Sequence, residues 1–160
     1  MKVVIRKLRT DDAIISWVWR NDLSIWKLTA KSWNTYVNYE TELKWIQSVL
    51  LDKTRLTYAI CVGQYEEYIG NVQLTNINSE DACFHIFIGN KNYWGKGIGM
   101  IATKLFIDHV KNNLNIKKIY LYVKETNTAA LSIYNKVGFV NVGLIKSQIK
   151  MELKIKNEQR

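Results

Sequence analysis

No segment constrains the fold of this chain more than Tyr93-Trp94-Gly95-Lys96-Gly97-Ile98-Gly99-Met100, where glycine recurs at every second position. An apolar run, Phe84-His85-Ile86-Phe87-Ile88, precedes it, and an amphipathic segment from Ile98 to Val110 follows. A strand, a glycine-rich turn and a helix start together make a place for phosphate. Glycine lets the backbone approach a ligand, the first N–H groups of a helix lack intrahelical partners, and the helix dipole favours negative charge. Successive amides in such a turn also line a concavity that binds anions.

Spacing separates the motifs that use this layout. A nucleoside-triphosphate loop needs Lys and then Ser or Thr around its last glycine, and here Met100 and Ile101 follow Gly99. A dinucleotide fingerprint fits more closely, because Gly97-Ile98-Gly99-Met100-Ile101-Ala102 reads G-x-G-x-x-A and Glu125 ends a later apolar run. Against it, Asn90 to Lys96 separate the glycines from the strand, and the chain after Gly97 is short for a full doubly wound sheet.

The loop resembles the pyrophosphate loop of the acetyl-CoA-dependent N-acetyltransferases of the GNAT superfamily, Gln/Arg-x-x-Gly-x-Gly/Ala after the fourth strand. Gly97-Ile98-Gly99 supplies the glycine pair. Trp94 stands where Gln or Arg is usual, and Tyr93-Trp94-Gly95-Lys96-Gly97 is similar to the variant in the subgroup that includes ribosomal-protein N-terminal acetyltransferases. A second block, Asn127-Thr128-Ala129-Ala130-Leu131-Ser132-Ile133-Tyr134-Asn135-Lys136-Val137-Gly138-Phe139, resembles the family's second cofactor motif, N-x-x-A-x-x-x-Y-x-K-x-G-F. The two blocks stand in the family's order, with one expected helix and strand between them. The resemblance runs from Val3 to about Leu153. It implies one α/β domain over residues 1–160, with an acceptor-shaping half, 1–80, and an acetyl-CoA-binding half, 81–145. Its sheet would be mixed and mostly antiparallel, with about seven strands splayed between the fourth and fifth and about four flanking helices.

Composition agrees. With 160 residues, 48% of them apolar, the chain can bury a sizeable single core. It has no apolar run long enough to span a bilayer and no signal-peptide pattern, so a cytoplasmic location without a membrane partner is expected. No zinc-ligand spacing appears, so no metal is expected. Cys61 and Cys83 lie in strand-like apolar surroundings and read as buried free thiols. The net charge of +9 is scattered, clustering only at Lys117-Lys118 and from Lys146 to Arg160. Such scatter argues against nucleic acid and suits attraction of an anionic co-substrate, and it argues against a strongly cationic acceptor such as a polyamine.

The pattern predicts strands over Val3–Leu8, Leu56–Val62, Tyr68–Ile77, Phe84–Gly89 and Ile119–Val123, with two more between Phe139 and Leu153. It predicts helices from Thr10, as cap, towards Arg20; from Tyr39 to Leu51, with Leu43, Ile46 and Leu50 on one face; from Ile98 to Asn112; and from Thr126 to Val137.

The resemblance gives these parts roles. Amides from Gly95 to Met100, namely those of Gly95, Lys96, Gly97, Ile98, Gly99 and Met100, would hold the pyrophosphate of acetyl-CoA, with Lys96 adding charge. Phe87, Ile88 and Asn90, at the end of the fourth strand, would run beside the pantetheine arm, and Asn127, Ala130 and Lys136 belong to the second cofactor block. An amine nucleophile must lose a proton before attack, and the departing thiolate must gain one. Tyr134 matches the family tyrosine that serves the thiolate, and His85 is the candidate base, since histidine titrates in the useful range. His109 is expected to be structural.

The acceptor is a small-molecule amine on this reading. Trp17, Trp19, Trp26, Trp33 and Trp45, with Tyr36 and Tyr39, crowd the N-terminal half and suit either a core or a planar ligand. Trp19-Arg20-Asn21 resembles an element of acetyltransferases that act on nucleotide-linked amino sugars, and it implies that Arg20 pairs with a substrate phosphate. The rival readings are acetylation of a protein N-terminus and a non-catalytic CoA- or nucleic-acid-binding module. Many members of the family pair as dimers, so a homodimer is a further expectation, with no residue in the sequence marking the interface.

Overall fold

The computed structural model describes residues 1–27 and 35–155. Trp33 and the end of the basic tail lie outside these residues. All seven described strands join one sheet in the order β1-β2-β3-β4-β5-β7-β6. The strands are β1 (Val3–Lys7), β2 (Leu56–Val62), β3 (Glu67–Thr75), β4 (Asp81–Ile88), β5 (Lys118–Lys124), β6 (Val140–Ile145) and β7 (Gln148–Lys154). Every pairing is antiparallel except β4 with β5, which is parallel.

That parallel pair carries the architecture. It holds only at Asp81–Lys118, Ala82–Ile119 and Cys83–Tyr120. Beyond Cys83, β4 continues along β3 to Ile88, while β5 continues along β7 to Lys124. The sheet opens into a V, as expected.

The helices are α1 (Ala13–Trp19), α2 (Leu23–Trp26), α3 (Tyr39–Leu51), α4 (Ile98–Asn113) and α5 (Thr128–Val137). Alternation along the strands sends side chains to two cores. Val72, Phe84, Ile119, Leu121 and Met151 meet Ile98, Phe106, Val110 and Tyr134 of α4 and α5 on one face. Ala59, Cys61, Tyr68 and Phe87 meet Trp19, Trp26 and Ile46 of α1 to α3 on the other.

Two local expectations are corrected. Thr10 does not cap the first helix; the Asp12 carboxylate accepts the Arg9 N–H at 2.8 Å and also takes both Arg6 terminal nitrogens, at 2.8 and 2.9 Å. That helix runs to Trp19 with Arg20 as its C-cap, as expected, and Asp22 starts the short α2 by accepting from the Ser24 N–H. The buried face of α3 is Glu42, Ile46 and Val49, with Leu50 turned to solvent. A carboxylate occupies that face because it has a buried partner, Arg20. The thiols are free and buried, as expected; β3 separates their strands, and burial pushes Cys83 up to about 11. His109 is structural: its Nε2 lies 3.0 Å from the Tyr58 hydroxyl, and burial lowers its pKa.

Candidate active site

The glycine loop joins β4 to α4 through a 3₁₀ turn at Lys91–Tyr93. It is tied down before the glycines begin. The Glu67 carboxylate accepts the Asn90 amide at 3.0 Å and the Tyr93 hydroxyl at 2.8 Å, and Trp94 Nε1 donates to the Ile88 carbonyl at 2.9 Å. Trp94, in the place of a family Gln or Arg, therefore braces the loop against the strand end. Gly95 and Gly97 take φ of 72° and 77°, a region that favours residues without a Cβ. Gly97 is the N-cap of α4 and offers no side chain, so no side-chain cap occupies the N–H groups of the first turn. The loop thus presents uncapped amides at the head of a 16-residue helix, which fits a pyrophosphate. The Lys96 ammonium rests 5.6 Å from the Tyr93 ring centre, on the loop's exposed side.

The strand groups that face the gap differ in part from the expected Phe87, Ile88 and Asn90. A 2.7 Å bond from the Gly89 N–H to the Ile69 carbonyl sets the phase of the β3–β4 ladder. Antiparallel pairs alternate, so Phe87 directs its backbone groups to β3, whereas Ile86 and Ile88 direct theirs into the V. The Asn90 N–H is bonded to the Ile69 carbonyl at 3.1 Å, and the Asn90 side chain is engaged with Glu67 and the Asn92 N–H. The backbone groups of Phe87 and the Asn90 N–H are therefore turned from the gap, although the Phe87 side chain lines the cavity, while those of Ile86 and the Ile88 N–H face it. Counting by twos from the strand end would have found Ile86.

On α5, Asn127 is the N-cap, accepts from the Ala130 N–H at 3.2 Å and lines the cavity between the strands. Lys136 is exposed in the last turn. Tyr134 is 9% exposed, set edge-on to Phe84 at 6.1 Å and to Phe139 at 5.7 Å. Burial pushes its phenol up to about 12, so it stays protonated at neutral pH and is a donor.

A cavity of about 240 Å³ lies in the V, lined by residues from both faces of the sheet. Tyr134 and Asn127 line it from the α5 side; Arg20, Trp26, His85, Gln73 and Lys124 line it from the other. His85 Nε2 lies 3.0 Å from the Thr75 hydroxyl, and His85 and Gln73 also border a second groove of about 330 Å³ with Asp52 and Arg55. The structure thus brings Tyr134, Asn127, His85 and Arg20 to one space.

It does not bring all of Trp19-Arg20-Asn21 there. The Trp19 ring is buried against Gly89 and Tyr68, so closely that a side chain at Gly89 would overlap it. Asn21 is spent on the backbone, donating to the Trp17 and Val37 carbonyls at 3.1 and 2.7 Å and accepting the Val37 N–H at 2.8 Å. Arg20 alone faces the cavity. Its Nε donates to both Glu42 oxygens, at 3.1 and 3.0 Å, and its guanidinium carbon lies 4.3 Å from the Trp45 ring centre. The sequence places Glu42 in the acceptor-shaping half but does not reveal its pairing with Arg20, 22 residues away, and no motif marks Lys124.

Among the described residues there is no cluster suited to a metal ion and no helix long and apolar enough to cross a membrane. The family model for the acetyltransferase (GNAT) domain matches residues 2–140. An uncharacterized N-acetyltransferase p20 of Bacillus licheniformis is 24% identical over 91% of this chain and 83% of its own length. Spermidine N(1)-acetyltransferase of Escherichia coli K12 is 41% identical, but over 46% of this chain and 40% of its own. Among solved structures, spermidine N-acetyltransferase of Vibrio cholerae in complex with CoA and spermine superposes with a TM-score of 0.82 at 22% identity, covering 99% of this chain and 98% of that one. An aminoglycoside acetyltransferase in complex with coenzyme A gives 0.78 at 17%, covering 96% and 95%. With the domain model matching most of its length and the split sheet, glycine loop and buried tyrosine in place, this chain belongs to the GNAT family and is an acetyl-CoA-dependent N-acetyltransferase.

Proposed function

We propose that the acceptor is a small-molecule primary amine, an amino sugar or its nucleotide-linked form, acetylated by direct attack while both substrates are bound. The observation that carries this is the cavity of about 240 Å³ in the V, which Tyr134 and Asn127 line together with Arg20, Trp26 and His85. Acetyl-CoA supplies a thioester activated for acyl transfer. The uncapped amides at the start of α4 hold its pyrophosphate, and the backbone groups of Ile86 with the Ile88 N–H hold the arm in place of a missing strand, the Ile88 carbonyl being taken by Trp94. A backbone N–H in the V is placed to stabilise negative charge on the carbonyl oxygen as the amine attacks.

His85, in the acceptor wall, takes the proton that the amine must lose. Tyr134 returns a proton to the departing sulfur, a role for which burial keeps its hydroxyl protonated. Trp26 supplies an aromatic surface for a ring-shaped acceptor. Spermidine, the acceptor named for two of the relatives, fits this chain less well, since the cavity wall carries Arg20 and Lys124.

The test is thiol release from acetyl-CoA with a panel of nucleotide-linked amino sugars, free amino sugars, aminoglycosides, polyamines and peptides with free N-termini. Turnover concentrated on the amino sugars supports the proposal. Turnover confined to peptides would move the protein to N-terminal acetylation, and turnover confined to polyamines would return it to the class of its named relatives.

A further inference from the structure

We infer that the acceptor carries an oxyanion, phosphate or carboxylate, within reach of its amine, and that Arg20 and Lys124 recognise it. The inference rests on the acetyl-transfer reading above and narrows its substrate class: an amine whose other charges are also positive is excluded.

Arg20 is the first ground. Only 6% of the residue is exposed, yet it lines the cavity. Glu42 takes its Nε alone, and Nη2 is buried with no hydrogen-bond partner. The rings of Trp45, Trp26 and Phe87 lie 4.3, 5.3 and 5.5 Å from the guanidinium carbon, so the group is fixed in place. A buried N–H without an acceptor is costly, and a guanidinium held this way matches the paired oxygens of a carboxylate or phosphate. A purely structural Arg–Glu pair would use its Nη donors within the protein.

The charge of the wall is the second ground. Lys124 lines the cavity opposite α5, and its ammonium, a donor of three hydrogen bonds, gives one to the Lys27 carbonyl at 3.1 Å and no other to the described residues. No Asp or Glu is among the described residues that line the cavity. The segment 28–34 also contains no Asp or Glu, so it adds no negative charge wherever it lies. The nearby carboxylates are committed or elsewhere. Glu42 is taken by Arg20, Asp52 borders the second groove and accepts from Thr54, and Glu125 borders a separate groove with Lys124 and Lys146. A polyamine would bring ammonium groups to a wall with no carboxylate among its described lining residues, whereas an oxyanion meets the Lys124 ammonium and the Arg20 guanidinium.

The experiment is calorimetric titration of the CoA-saturated protein with four primary amines: glucosamine 6-phosphate, glucosaminic acid, glucosamine and spermidine. The two anionic arms separate phosphate from carboxylate as the preferred group. At least one should bind about tenfold or more tightly than glucosamine, the scale of a charge-assisted contact, and spermidine should not bind. Two variants assign the effect. Lys124→Gln should weaken the anionic arm several-fold more than the neutral arm. The double variant Arg20→Gln/Glu42→Gln, which removes both members of the buried pair together, should abolish the preference while a melting curve confirms folding. Equal affinity for glucosamine and its anionic forms, binding of spermidine in preference, a preference untouched in both variants, or no binding by any of the four overturns the inference. Failure of the parent reading looks different: there, acetyl-CoA itself would neither bind nor release thiol with any amine.

Discussion

The two faces of the split sheet hold two kinds of site. On the α4–α5 face, the pyrophosphate place is made of backbone: uncapped amides, two glycines at positive φ, and strand groups left without a partner. On the α1–α3 face the site is made of side chains that need one another, with Arg20 held by Glu42 from another helix and by rings from three elements. The first kind depends on conformation and tolerates drift in side chains, as Trp94 shows by standing in for a family Gln or Arg and bracing the loop from its ring nitrogen. The second kind depends on which residues meet, so the same fold can serve different acceptors.

The contrast predicts opposite responses to substitution. On the backbone face, Gly97→Glu should abolish acetyl-CoA binding, because a carboxylate would enter the anion site on a residue held at φ of 77°. Gly97→Asn, which tolerates that conformation, should retain most of it. Calorimetry on the pair checks this, and equal affinity in Gly97→Glu and the parent would move the pyrophosphate elsewhere. On the side-chain face, Arg20→Met should act through stability. It leaves the Glu42 carboxylate, 2% exposed, without a partner, at a cost of about 3–5 kcal/mol. Adding Glu42→Leu should recover most of that loss. A melt in which the double variant is no more stable than the single would show that the pair is not the unit argued here.

The same contrast explains what could be read from the sequence. The order of elements and the glycine loop follow from local pattern, alternation and glycine spacing, whereas the V between β4 and β5 is what the resemblance carried by the two motif blocks implies. The acceptor side did not follow. Trp19 and Asn21 sit in a recognisable triplet, yet their surroundings are set by Gly89 and Val37, which local sequence cannot bring near. Glu42 lies in the acceptor-shaping half, but nothing within a helical turn announces its partner 22 residues away. The shift from Phe87 and Asn90 to Ile86 was legible in principle, since it needs only the phase of a two-residue alternation.

Tyr134 belongs to the backbone face by position but acts as a side chain, so it sharpens the comparison. Tyr134→Phe keeps the ring that packs on Phe84 and Phe139 and removes only the hydroxyl. Turnover should fall by about a hundredfold, the scale of one positioned acid, with acetyl-CoA affinity nearly unchanged. Equal loss of both would assign the hydroxyl to binding. The pH profile gives a second reading. With its phenol pushed up to about 12, Tyr134 holds its proton throughout the range in which the amine and the base titrate. The rate should therefore climb with pH as the amine loses its proton and show no falling limb attributable to this residue until close to that value.

The smallest expected effect tests the backbone face at its weakest point. Asn127 closes the first turn of α5 by accepting the Ala130 N–H at 3.2 Å, and its amide nitrogen is the part left for a ligand. Asn127→Ala removes both, whereas Asn127→Asp keeps the cap acceptor and removes the donor. Loss of the cap should cost about 1 kcal/mol in the alanine variant, roughly 2–4 °C in melting temperature. The aspartate variant should melt close to the parent. If both weaken acetyl-CoA several-fold while only alanine lowers the melting point, the amide nitrogen touches the arm and the oxygen serves the helix. If aspartate binds acetyl-CoA as the parent does, capping is the whole of this residue's work, and the arm is held by the Ile86 and Ile88 backbone alone.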